Sequence, residues 1–152
     1  MKNVQYNDYF YTCFIIEYIS RKIKQPNRYL VNKLGYDGIS WILEFADILH
    51  CENKDAVAAE LIEKYKLQYG TFDILAKLDK RLVDKPPRAM DMGKAYANML
   101  YYLISSDTDI SQLIIDVYNS KIAEQIDNYN GAGYYTPAAE KAYYYKNYGE
   151  FV

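Results

Sequence analysis

The stretch from Leu34 to Cys51 constrains the fold more than any other part of the sequence. Read as a helix from about Ile39, it places apolar residues three and four positions apart, and these are Trp41, Ile42, Phe45, Ile48 and Leu49. This spacing lays them along one face, as expected of a helix that packs against a core. The opposite face carries Ser40, Glu44 and Asp47. We therefore predict a helix here that anchors the fold.

The same helical period recurs along most of the 152 residues, whereas the alternation typical of strands is nowhere sustained. The predicted helices cover residues 7–24, 26–35, 39–50, 53–70, 72–83, 90–105, 109–128 and 138–148. Asn53 is a typical helix N-cap, and Gly149 is well suited to end the last helix. The sequence thus predicts an all-α fold of about eight helices.

The segment Lys85-Pro86-Pro87-Arg88 divides the chain. Neither proline can donate a backbone hydrogen bond, and each restricts the residue before it, so no helix continues through this point. We predict an N-terminal helical module over residues 1–84, a Pro-Pro linker over 85–89, and a C-terminal helical module over 90–152.

Composition and charge narrow the function classes. The formal net charge is −2, and residues 89–152 carry eight acidic side chains against four basic ones, a balance that gives no general attraction to nucleic acid or to an anionic membrane. The basic cluster consists of Arg21, Lys22, Lys24, Arg28 and Lys33, and we interpret it as a solvated face. The N-terminus has no secretory pattern, and no apolar run is long enough to span a membrane. We therefore expect a cytoplasmic protein with reduced cysteines.

Asp47, His50 and Cys51 are the residues whose types best fit metal or nucleophile chemistry. However, one histidine and two cysteines cannot form a usual zinc site without several carboxylates, and adjacent helical residues such as His50 and Cys51 point in different directions. The sequence also lacks phosphate-loop, nucleophile-elbow and zinc-protease motifs. We predict a non-enzymatic protein with no metal and no cofactor, and keep a helical metal protein or enzyme built on these three residues as an alternative.

The C-terminal region is unusually rich in tyrosine, a residue of which the chain holds 19. The residues concerned are Tyr134, Tyr135, Tyr143, Tyr144, Tyr145 and Tyr148. The last four cover too much of a short helix for a single buried face, so some must be exposed or touch another surface. Exposed aromatic patches mark contact sites, and tyrosine is common in binding hot spots. We predict that these six tyrosines bind a partner protein, with broad packing of the helix on its own domain as the alternative.

Residues 9–65 resemble a small bacterial helical domain family of unknown function. The similar features are an aromatic-rich first helix ending in Glu17 and Tyr18, and a later run that includes Ile42, Phe45 and Leu49-His50. Genes of that family often lie beside genes for ADP-ribosyltransferase-like toxins, so the resemblance implies an antitoxin or accessory role. The expected function is a protein–protein interaction module that binds a toxin-like neighbour, and the alternative is a homo-oligomeric accessory domain, such as a homodimer.

Overall fold

The computed structural model describes residues 2–152 and contains seven helices in this range. They are α1 (Tyr6–Ile23), α2 (Asn27–Leu49), α3 (Lys54–Lys64), α4 (Ala89–Leu103), α5 (Ile110–Tyr118), α6 (Lys121–Asp127) and α7 (Ala138–Tyr148). Within the described residues there is no strand. The predicted all-α class is confirmed, and the predicted count of about eight helices is close.

Helix α1 lies at the centre of the fold, because it packs against both α2 and α4. Its side chains at Cys13, Ile16 and Ile19 are fully buried. On the far sides, α5 packs against α2 and α7 packs against α4. One cluster of buried apolar side chains therefore contains residues from both sides of the Pro-Pro segment. The division of the chain into modules 1–84 and 90–152 stays a prediction.

The crossing of α1 and α4 depends on Gly93. A Cβ atom at this position would lie 2.8 Å from the Cα and the backbone nitrogen of Phe14. Since backbone atoms cannot move aside as a side chain can, only glycine allows the two helices to approach so closely here.

The predicted helices 26–35 and 39–50 form one element, α2, which bends at Gly35. Gly35 has φ of 65° and ψ of −173°, a backbone conformation that L side chains rarely adopt. The predicted core face of this helix was partly wrong, since Phe45 and Ile48 are 40% and 56% exposed. The buried face is formed instead by Ile39, Ile42, Leu43, Ala46 and Leu49. Two overlapping apolar stripes fit the same helical period, and packing against α1 and α5 selects one of them.

The prediction of a helix over residues 72–83 is wrong, because this segment forms only isolated turns. Its backbone groups bond to other parts of the chain: the Phe72 amide donates to the Lys24 carbonyl at 2.9 Å, and the side chain of Asn130 accepts from the Asp79 amide at 2.7 Å. The same side chain donates to the Lys77 carbonyl at 2.9 Å. These tertiary hydrogen bonds replace the bonds that a helix would make.

The predicted helix 109–128 is divided into α5 and α6 at Asn119 and Ser120. The Ser120 hydroxyl accepts a hydrogen bond from the Ala123 amide and so caps α6. Asp109 caps α5 by accepting from the Gln112 amide at 3.3 Å. The bend between the two helices brings Asp127 back towards α1.

Within residues 2–152, none of the helices combines the length and the apolar character that crossing a membrane requires.

Candidate functional site

Two tyrosines on α7 present their rings to solvent side by side. Tyr143 is 55% and Tyr148 is 54% exposed, and their ring centroids lie 6.3 Å apart in an edge-to-face arrangement. Because the rings contact each other, they form a patch and not two scattered apolar side chains. We call Tyr143 and Tyr148 the C-terminal aromatic surface. Tyr135 is also exposed, ahead of α7, with its ring against that of Tyr134.

The other three predicted contact residues, Tyr134, Tyr144 and Tyr145, are partly buried and pack against the core. Lys141 fixes the chain ahead of α7, since its buried ammonium donates to the Tyr134 carbonyl at 2.7 Å and lies 5.6 Å from the centre of that ring. Burial lowers the pKa of Lys141 to about 8. The six tyrosines thus divide into an exposed group and a group that attaches α7 to its own domain.

A groove of about 430 Å³ lies between the end of α6, the loop before α7 and the C-terminus. Tyr144 and Phe151 line it, with ring centroids 5.5 Å apart. The Phe151 amide donates to the Gln125 side chain at 2.8 Å, which holds the C-terminal residues on α6. Tyr144 also contacts Tyr148, with ring centroids 6.1 Å apart, so the groove continues into the C-terminal aromatic surface.

Asp47, His50 and Cys51 do not form a metal-binding group. The Asp47 carboxylate accepts from the Lys2 ammonium at 3.1 Å, and His50 Nδ1 lies 3.1 Å from the Ala46 carbonyl oxygen. Cys51 Sγ lies 3.7 Å from His50 Nε2, a contact that helical spacing had argued against. In the part of the chain that the structure describes, no cluster of three histidine, cysteine or carboxylate side chains could hold a metal ion.

The predicted basic cluster is largely neutralised by ion pairs. The pairs are Arg21 with Glu17, Lys22 with Asp55, Lys24 with Asp73 and Arg28 with Glu124. Lys33 lies over the ring of Tyr29, 5.8 Å from its centre. Side chains with partners of opposite charge offer little to a phosphate backbone. The interpretation of this cluster as a solvated face does not hold for Arg21, whose side chain is mostly buried.

Sequence reasoning missed a cavity of about 460 Å³ between α1, the start of α2, the end of α6 and the irregular segment 66–88. Its polar side is formed by Glu17, Asn27 and Asp127, which we call the cavity floor. One signal was available in the sequence: Glu17 follows Cys13 by four positions and precedes Ser20 by three, so it occupies a position on the buried face of α1.

The cavity floor is a continuous hydrogen-bond network. The buried Glu17 carboxylate accepts from Arg21 Nε at 2.9 Å, from the Tyr129 hydroxyl at 2.8 Å and from Asn27 Nδ2 at 3.0 Å. The same Asn27 nitrogen donates to the Asp127 carboxylate at 3.1 Å. The chain therefore holds two carboxyl groups in one cleft and links them through a single amide.

The second carboxyl group is strongly perturbed. Burial, followed by the negative charge of Glu17, raises the pKa of Asp127 from 3.8 to about 8. Hydrogen bonds from the Tyr96 hydroxyl, at 2.7 Å, and from Asn27 act in the opposite direction, as does the charge of Arg21. Carboxyl groups with raised pKa values in a cleft are common at functional sites.

Comparisons of the chain with protein-family models, with curated proteins and with solved structures found no significant match.

Proposed function

We propose that this protein is a non-enzymatic interaction module that binds another protein through the C-terminal aromatic surface. The observation that carries the proposal is the pair of contacting rings at Tyr143 and Tyr148, each more than half exposed on a helix that is itself docked on the domain. Burying two exposed aromatic rings gives a large gain in free energy, and tyrosine loses little conformational entropy when it is buried.

The groove beside this surface supports the proposal. A partner that covers Tyr148 would also meet the groove lined by Tyr144 and Phe151. A pocket next to exposed rings is typical of binding hot spots, because a side chain of the partner can be fully desolvated there. The groove is built from α6, α7, the loop between them and the C-terminus, and the hydrogen bond of Phe151 to Gln125 already holds the C-terminus in place, which reduces the conformational entropy lost on binding.

The class of partner follows from the resemblance of residues 9–65. We propose a toxin-like protein encoded by a neighbouring gene, which this chain neutralises or assists. The competing occupant is a second copy of the chain, because an aromatic pair can also contact its own symmetry mate in a twofold dimer.

The test replaces the two exposed tyrosines of the surface and is designed to leave the fold intact. The Tyr143→Ser/Tyr148→Ser variant and the wild type are used as full-length baits in pull-downs from the native host. Deleting the whole region is a poorer choice, because removal of Tyr129 would break its hydrogen bond to Glu17. A matched control is Tyr101→Ser/Tyr102→Ser on α4, where the two rings are 62% and 59% exposed and 5.5 Å apart.

We expect the wild type and the α4 control to capture the same protein and the α7 variant to lose it, with equal helical circular dichroism in all three. Loss of capture in both variants, or in neither, would contradict the proposed surface. Light scattering of the purified proteins identifies the twin-subunit alternative, in which the wild type is a dimer and the α7 variant is a monomer.

A further inference from the structure

The cavity above Glu17, Asn27 and Asp127 has the size and lining of a small-molecule site. Its volume of about 460 Å³ lies within the range of ligand pockets, which is roughly 300 to 1,000 Å³. Opposite the polar floor, the side chains of Phe72, Ile74 and Leu78 supply an apolar wall. The sequence predicted a helix over residues 72–83. This segment is instead irregular and forms the apolar side of a pocket whose other side is polar.

The floor holds more acceptors than the protein satisfies. Asn27, which is 5% exposed, directs its NH₂ group to the two carboxyl groups, and its Oδ1 atom has no hydrogen-bond partner on the protein. The reverse orientation of this amide would place its oxygen against both carboxylates. Ser20, which is 2% exposed and also lines the cavity, has a hydroxyl without a partner. Both oxygen atoms are fully buried, so the group of the floor that a ligand in the cavity can reach is the carboxyl of Asp127, which is partly exposed.

When Asp127 is ionised, the charges around the floor are also unequal. Arg21 is engaged by Glu17, by the Tyr129 hydroxyl and by the Pro87 carbonyl. Asp127 accepts hydrogen bonds only from neutral groups, the hydroxyl of Tyr96 and the amide of Asn27.

The remaining cations at the rim do not reach Asp127. Arg28 is paired with Glu124 at 2.7 Å, and the ammonium of Lys77 lies over the ring of Phe72, 5.2 Å from its centre. Among the described residues, Asp127 is therefore a carboxyl group in a cleft without a cation at hydrogen-bond distance.

We propose that this cavity binds a small organic cation, an ammonium or amidinium group carried on an apolar body. The charged N–H groups donate to the Asp127 carboxylate, and the apolar body lies against Phe72, Ile74 and Leu78. Such a ligand places a positive charge beside the ionised form of Asp127, which accepts hydrogen bonds only from neutral groups of the protein. A neutral alcohol would bring no charge, and an anion would be repelled by Glu17 and by the ionised Asp127.

Binding of a cation is coupled to a proton. Because the pKa of Asp127 is raised to about 8, its carboxyl group is mostly protonated at pH 7 in the free protein. A cation favours the ionised form, so binding at pH 7 releases about one proton, and the affinity rises as the pH increases towards about 8.

The test uses the full-length protein and isothermal titration calorimetry at pH 7 in two buffers of different ionisation enthalpy. The cationic probes are benzamidinium and phenethylammonium; benzyl alcohol and benzoate are neutral and anionic probes of similar size. The variant is Asp127→Asn, which preserves shape and removes the charge. Asp107→Asn makes the same change at an exposed residue in the loop before α5 and serves as the control.

We expect a cation to bind about tenfold to a hundredfold more tightly than the alcohol, with release of about one proton. Asp127→Asn should lose this preference and the proton release, while Asp107→Asn keeps both. Failure of both cations to bind, equal binding of the alcohol, or preference for benzoate would overturn the proposal on the wild type alone. Unchanged binding by Asp127→Asn would overturn the assignment of the cation to the floor.

Discussion

Tyrosine has different roles beside the cavity floor and at the C-terminal aromatic surface. Tyr96 and Tyr129 are 1% and 3% exposed, and each donates its hydroxyl hydrogen to a carboxylate. Tyr143 and Tyr148 are more than half exposed, and their rings contact each other edge to face. The comparison indicates that the hydroxyl group determines the role of tyrosine at the floor, whereas the ring determines it at the surface.

We expect Glu17→Ala, at the cavity floor, to cause the largest loss in the free energy of unfolding. This change removes the acceptor of Arg21, Asn27 and Tyr129 and leaves a guanidinium without its carboxylate in a mostly buried position. Breaking a buried ion pair by removing one partner costs about 3 to 5 kcal/mol. Urea unfolding at pH 7 measures the loss. Glu60→Ala on the exposed face of α3 is the control and should change the free energy of unfolding by less than about 0.5 kcal/mol.

A loss from Glu17→Ala no larger than that of an exposed ion pair, about 1 kcal/mol or less, would contradict this account of the floor. It would mean that water replaces the carboxylate readily, and that the network is not enclosed.

A smaller effect compares the hydroxyl groups directly. Tyr129→Phe keeps the ring and removes the donor to Glu17, so we expect a loss of about 1.5 to 3 kcal/mol, the value of a hydrogen bond to a charged group. Tyr143→Phe removes an exposed hydroxyl and should change stability by less than about 0.5 kcal/mol. Urea unfolding of both variants tests the comparison, and equal losses would show that the two tyrosines do not differ in role.

Much of the fold could be predicted from the sequence, because helical period and caps are local signals. The period predicted α1, α4 and α7 closely, and Asn53 caps α3 as expected, accepting from the Asp55 amide at 2.7 Å. Residues 72–83 could not be predicted in this way. Their apolar spacing fits a helix, but hydrogen bonds from Asn130, more than fifty residues later, hold the segment in turns.

The candidate sites also depend on tertiary contacts that local sequence patterns do not reveal. Tyrosine excess indicated an aromatic surface, yet which rings are exposed depends on how α7 docks on α4. The cavity floor joins Glu17, Asn27 and Asp127, and no local pattern relates positions separated by ten and by a hundred residues. The sequence marked Glu17 only as a charged residue on a buried face.

The smallest expected effect is a dependence of stability on pH, which arises at the cavity floor from Asp127. The native state holds a proton on this carboxyl up to a pH of about 8, whereas the unfolded state loses it near the ordinary value of 3.8. Since the native state binds the extra proton in this window, the contribution of Asp127 to stability is full below about pH 4 and is lost as the pH rises to about 8.

Asp127→Asn lacks this proton, so its free energy of unfolding relative to that of the wild type should increase by about 1 to 2 kcal/mol between pH 6.5 and pH 8. Urea unfolding at several pH values measures the difference, and Asp107→Asn should follow the wild type throughout. Parallel curves for Asp127→Asn and the wild type would mean that the floor accepts an ionised Asp127 in the free protein. A cation could then still bind there, but its binding would release no proton. The pH dependence of stability and the proton release measured by calorimetry therefore have to agree, because both depend on the same proton on Asp127.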